Sequence, residues 1–142
     1  MKKTGILNAE LAYELTKLRH TDKMVICDAG YPIPKDATVI DLSLVAGVPT
    51  VIQVLKAVLN EIIVEEYVIF DNMKDVNQDY YKFITETFAK QKGSELSVPE
   101  FDAIAGKAKF YVRTGELAPC SNIILGSASG VAEMCDPLEI SF

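Results

Sequence analysis

The sequence holds a single histidine, His20, and three cysteines, Cys27, Cys120 and Cys135, with no CxxC pair among them. One imidazole without paired ligands offers no pattern for a zinc site. Three unpaired thiols do not make a disulfide framework and read as reduced cysteines. Basic residues are also scarce: 14 Lys and Arg stand against 20 Asp and Glu, for a net charge of −6. The short runs "KLRH" and "AKQKG" give no positive footprint for phosphates, which argues against nucleic acid as a partner. Long apolar runs are missing too, since nothing approaches the ~18–20 residues of a membrane span. The opening "MKKTGILNAEL" is broken by Asn8 and Glu10 before it could form a signal-peptide core. A nucleotide loop is lacking as well, because "GSASG" (126–130) has neither the lysine of a phosphate loop nor dinucleotide spacing. These absences predict a cytoplasmic protein, without a metal or nucleotide cofactor, that binds neither membrane nor nucleic acid.

What is present is ordinary for one folded domain. The chain has 142 residues, of which 49% are hydrophobic and 24% charged, enough to bury a core without staples. Leu7, Leu11, Leu15 and Leu18 form one apolar stripe behind Asn8, a good N-cap, and predict a helix ending near His20. "MVIC" (24–27), "TVIDLS" (38–43), "EYVIF" (66–70), "KFYVRTG" and "NIILG" predict strands. Uniformly apolar runs of this kind suit strands buried on both faces. Helices are expected in "GVPTVIQVLKAVLNEI", with Pro49 in its first turn, and in "QDYYKFITETFAKQKG", with Gly93 as its stop. Ser97 and Glu100 have capping-box spacing and predict a further helix start. The tail after "NIILG" reads as a loop followed by a last short strand. Strands alternate with helices, which predicts an α/β fold: one layered domain over 1–142 with a mostly parallel central sheet flanked by helices.

Three places could carry chemistry. His20 carries the one imidazole, the side chain most often used to move protons; equally, it could only cap the helix as a cation near its C-terminal end. Asp28 ends a predicted strand, where ligands of α/β sheets tend to bind, and a carboxylate can accept two sugar hydroxyls. Turn chemistry alone would also explain an Asp there. "RTGELAPCSN" (113–122) is rich in hydrogen-bonding groups, with Asn122 suited to a polyhydroxy ligand, Gly115 to a tight turn, and Arg113 and Glu116 to an ion pair.

Taken together and in order, "MKKTGILN", "LRHTDKMVICDAGYPIPK", "IDLSLVAGVPT", "VRTGE", "NIIL" and the closing "ISF" resemble the D-ribose pyranase family, relatives of the L-fucose mutarotases. "DAGYPIP" is closer to the pyranase branch. The resemblance implies a ribose-pyranase-like fold and cofactor-independent interconversion of sugar ring forms or anomers. It implies His20 as proton donor, Asp28 as a substrate ligand, and Cys120, Ser121 and Asn122 as the substrate-binding tripeptide. It also implies a ring-type homo-oligomer, an octamer or a decamer, with each site near a subunit boundary. Three departures stand out. Cys120 replaces the family's tyrosine, Val98 replaces a second histidine, and an extra segment occupies roughly 126–138. Beside catalysis on ribose, they leave open a non-catalytic sugar-binding or regulatory homologue and a mutarotase for another sugar. The enzymatic reading further expects His20 and Asp28 to face one sugar-sized hollow.

Overall fold

A computed structural model describes residues 1–141. The chain runs α1 (Ala9–Lys17), β1 (Lys23–Cys27), β2 (Val39–Asp41), α2 (Val51–Leu59), β3 (Val64–Phe70), α3 (Met73–Val76), α4 (Gln78–Thr87), β4 (Lys92–Leu96), α5 (Val98–Ala105), β5 (Phe110–Arg113) and β6 (Ile123–Ser127), with a 3₁₀ turn at Ala132–Met134. The six strands form one sheet in the order β2-β5-β1-β6-β3-β4. β1, β2 and β5 run parallel to one another, as do β3 and β4. β6 lies antiparallel between β1 and β3 and joins the two parallel sets. The expected α/β layering with a mostly parallel sheet is therefore present, with one reversed strand at its centre.

The apolar strand runs are explained by two-sided burial. Met24 and Ile26 of β1 face one core together with Leu11 and Leu15 of α1, Val54, Leu55 and Val58 of α2, and Ile84 of α4. Val25 and Cys27 face a second core with Phe101 and Ala105 of α5. β5 and β6 divide in the same way: Phe110, Val112, Ile123 and Leu125 on one side, Tyr111 and Ile124 on the other. Alternate side chains of a strand point to opposite faces, so a strand between two helical layers is apolar throughout.

Two caps follow the sequence, at α1 and α5, and the structure adds a third, at α2. The Asn8 side chain accepts from Leu11 N at 2.9 Å. Thr50 opens α2 by accepting from Gln53 N, while the Gln53 side chain accepts from Thr50 N. The Glu100 carboxylate accepts from Ser97 N at the start of α5.

Several expectations are corrected. Pro49 is not in the first turn of α2; it precedes the cap Thr50, whose hydroxyl satisfies the free N–H instead. Leu7 lies outside α1 and is exposed. Gly93 does not stop a helix but sits inside β4, opposite Tyr67. A Cβ at Gly93 would fall 2.6 Å from Tyr67 Cζ, so the bare backbone is what lets the ring lie there. Gly126 and Ser127 belong to β6, so the extra segment begins at Ala128. Ile140 and Ser141 form no closing strand, and Phe142 lies outside the described residues. The Ile140 backbone is instead held by one side chain: Asn60 Nδ2 donates to Ile140 O at 2.8 Å and Asn60 Oδ1 accepts from Ile140 N at 2.9 Å. Among the described residues, no helix is long and apolar enough to cross a membrane.

Candidate functional site

At the C-terminal end of β1 the chain turns sharply, and the loop between β5 and β6 is fastened to that turn. Thr114 donates to Cys27 O through both its hydroxyl (2.9 Å) and its amide (3.0 Å). Ala29 N donates to Glu116 O at 2.9 Å, and Arg113 Nε to Ala29 O at 3.0 Å. The side chains complete the lock. Asn122 Oδ1 accepts from Asp28 N at 2.7 Å, and Asn122 Nδ2 donates to Asp28 Oδ2 at 2.8 Å. Asp28 Oδ1 accepts from Gly30 N at 2.8 Å. Each carboxylate oxygen thus has one partner and keeps lone-pair capacity for another donor. Asn122 is nearly fully buried while Asp28 is partly open, so the amide positions a carboxylate that remains available to solvent.

The rest of the predicted tripeptide shapes the same corner. Ser121 is fully buried and donates to Ala118 O at 3.0 Å. Cys120 adopts φ +51°, a left-handed conformation that costs a residue with a Cβ about 1–2 kcal/mol. Its half-buried thiol touches both cores. Val98, where the family has a second histidine, is exposed at the first turn of α5. Tyr31 stacks on Tyr111 and meets Phe101 edge-on, and its hydroxyl donates to Asp102 at 2.6 Å.

His20 is not part of this corner. It lies before β1, whereas Asp28 follows it, and five extended residues separate their ends by roughly 17 Å. The expectation of one hollow faced by both residues is therefore corrected for the single chain. Its best-formed hollows, among the described residues, are lined by neither His20 nor Asp28, Cys120 and Asn122. His20 does not cap α1 either, because Arg19 Nη1 donates to the carbonyls of Thr16, Lys17 and Leu18. The imidazole instead reaches Glu65, both of whose oxygens lie 3.1 Å from Nε2.

Sequence reasoning missed Glu65 and misread Glu116. Arg113 pairs with Asp41 at 2.8 Å, not with Glu116. Hydrogen bonds from the Ser43 hydroxyl and amide, with Arg113 beside them, hold the Asp41 carboxyl below its ordinary value against the opposing effect of burial. Glu116 is buried and accepts from the Tyr80 hydroxyl, from Leu117 N and Ala118 N at 2.9 Å each, and from Val51 N at the start of α2. Gly115 allows a close approach, not a tight turn alone: a Cβ there would stand 2.3 Å from Val48 O. Among the described residues no cluster of three His, Cys, Asp or Glu side chains could hold a metal ion.

Cys27, next to Asp28, is fully buried, and burial pushes its thiol up to about 12. The thiolate is the reactive form, so Cys27 is expected to resist alkylation at pH 8 in the native protein and to react only on unfolding. Labelling of Cys27 as fast as Cys135, read by peptide mass spectrometry, would contradict this.

A partly open carboxylate fixed by a buried amide thus stands at the strand ends of a layered α/β sheet, the place where ligands of such sheets tend to bind. The family model of the RbsD / FucU transport protein family matches residues 1–132. The chain belongs to that family. D-ribose pyranase of Petrotoga mobilis is 42% identical over 127 residues, covering 89% of this chain and 97% of the relative. D-ribose pyranase of Geobacillus thermodenitrificans is 45% identical over 127 residues, covering 89% and 96%. The structure of Bacillus subtilis RbsD complexed with D-ribose superposes with a TM-score of 0.86 at 41% identity, covering 90% of this chain and 98% of that one. The fucose mutarotase of Streptococcus pneumoniae, at 22% identity and a TM-score of 0.69, shares the fold.

Proposed function

We propose that the chain is an intramolecular sugar isomerase, a D-ribose pyranase, which interconverts ring forms of the monosaccharide without a cofactor. The observation that carries this reading is the extent of the likeness: 41–45% identity over about nine-tenths of the chain to D-ribose pyranases and to a ribose-bound structure.

The chemistry needs little apparatus. Opening a cyclic aldose requires one proton delivered to the ring oxygen and one removed from the anomeric hydroxyl. Reclosure through a different hydroxyl, or on the other face of the carbonyl, gives the furanose or the other anomer and returns both protons. His20 is the proton donor to the ring oxygen, and a water accepts the anomeric proton. Asp28 accepts hydrogen bonds from sugar hydroxyls. Asn122 holds Asp28 and offers its second amide N–H, and Ser121 and Cys120 shape the wall. General acid–base help of this kind is worth ~10²–10⁴-fold.

His20 and Asp28 stand at opposite ends of β1, so one chain cannot present both to one sugar. The site is completed by a second copy, whose His20 meets this copy's Asp28. That geometry supports a homo-oligomer. Where the resemblance implies a tyrosine and a second histidine near the sugar, this chain has Cys120 and Val98, which favours a smaller set of polar contacts.

Saturation-transfer NMR on D-ribose tests the reading. The protein is expected to accelerate pyranose–furanose exchange. Calorimetric binding of ribose without acceleration would select the non-catalytic alternative, and acceleration confined to another aldose would reassign the substrate.

A further inference from the structure

We propose that Glu65 is the positioning residue of His20: it holds Nε2 as the protonated ring nitrogen and leaves Nδ1 as the nitrogen that exchanges protons with substrate. The inference rests on His20 being the proton donor and adds how that donor is aimed.

Two local irregularities bring the pair together. β3 pairs with β6 through Val64↔Ser127 and Glu66↔Gly126, so Glu65 is the residue skipped by the register. A bulge of this kind frees one residue from the ladder and re-aims its side chain. Its neighbour Glu66 is occupied otherwise, since it pairs with Lys23 and lies against Gly126. On the other side, Thr21 adopts φ +69°, an uncommon conformation for a β-branched residue. The turn is pinned: Thr21 N donates to Ser127 O at 3.0 Å, Ser127 N to Asp22 O at 2.8 Å, and Arg19 N to the Asp22 carboxylate at 2.9 Å. Ser127 is thus the common anchor, opposite the bulge in one direction and bonded to the histidine turn in the other.

The chemistry follows from the acceptor. A carboxylate has no proton to give, so an imidazole nitrogen 3.1 Å from both of its oxygens is held as N–H. In the neutral ring Nδ1 then carries the lone pair, and in the imidazolium Nδ1–H is the free acid. Among the described residues Nδ1 has no hydrogen-bond partner. On an isolated chain the pair is exposed, the side chains being 52% and 37% accessible, and such pairs are weak in water. Covering it by a second copy would strengthen it.

The single histidine makes the test direct, because ¹⁵N-histidine labelling yields the signals of one ring. Wild type is expected to show the Nε2–H tautomer when neutral. Glu65→Gln is expected to lose that preference and to lower kcat at least about tenfold, as mispositioned catalytic imidazoles do, with KM little changed; Glu65→Asp should restore part of both. An unaltered tautomer in Glu65→Gln would overturn the proposal, as would a loss carried entirely in KM. Failure of the proton-donor reading shows separately, as wild-type exchange by His20→Ala.

Discussion

Glu116→Ala is expected to destabilise the protein by about 3–5 kcal/mol, because several donors lose their common acceptor at once. Four donors converge on this carboxylate from three parts of the chain: Tyr80 of α4, Val51 at the start of α2, and the Leu117 and Ala118 amides of the loop itself. Truncation leaves each donor without an acceptor, and an unmade buried hydrogen bond costs roughly 1–3 kcal/mol. Val51 N is among the free N–H groups of a helix start, where negative charge is favourable. Glu116→Gln keeps one acceptor oxygen and is expected to lose less, and Tyr80→Phe, which removes a single donor, about 1 kcal/mol. Chemical denaturation at fixed protein concentration measures the series, because any assembly would make apparent stability depend on concentration. A midpoint for Glu116→Ala equal to wild type would show that the cluster contributes nothing and that some other contact holds the loop.

This residue also shows where reading the sequence stops. Its neighbours Arg113 and Gly115 suggested a local ion pair and a tight turn, because only sequence-near partners are visible in a string of letters. Two of its four donors are 36 and 65 residues away, and the two near ones are backbone amides that any residue would carry. Strand and helix existence was legible where burial leaves a pattern: the two-sided apolar runs of β1, β5 and β6, and the caps at Asn8 and Ser97. β4 was not legible, since "KGSEL" is an edge strand with one neighbour and mostly exposed or partly exposed residues, and so carries neither alternation nor an apolar run. Asp28 and Asn122 were both singled out as candidates, but not that Asn122 bonds Asp28, because 94 residues separate them. Glu65 left no trace, since a bulge is a property of pairing and not of composition. The tail was expected to end in a strand; Asn60 supplies from a side chain the two hydrogen bonds that a strand neighbour would have given Ile140.

The separation of His20 from Asp28 yields the prediction that most directly examines the site as a whole. His20→Ala is expected to slow ring-form exchange by ~10²–10⁴-fold through loss of the proton donor. Asp28→Asn is expected to slow it ~10–100-fold, because hydrogen bonds to a charged group contribute about 1.5–3 kcal/mol. Each variant alone is therefore expected to be nearly inactive. When the two variants are co-assembled in equal amounts, a site that takes His20 from one copy and Asp28 from another has an even chance of an intact residue at each position. About a quarter of the sites are then complete, and the mixture should recover about a quarter of wild-type exchange, provided that heterologous contacts form at random. If both residues acted from one chain, every chain would carry a lesion, and the mixture could not exceed the mean of the two parents. Light scattering on the same samples should give a mass well above the 15.6 kDa of one chain. Recovery requires only the strand direction of β1 and contact between copies, so it tests the shared site without depending on which sugar is turned over fastest.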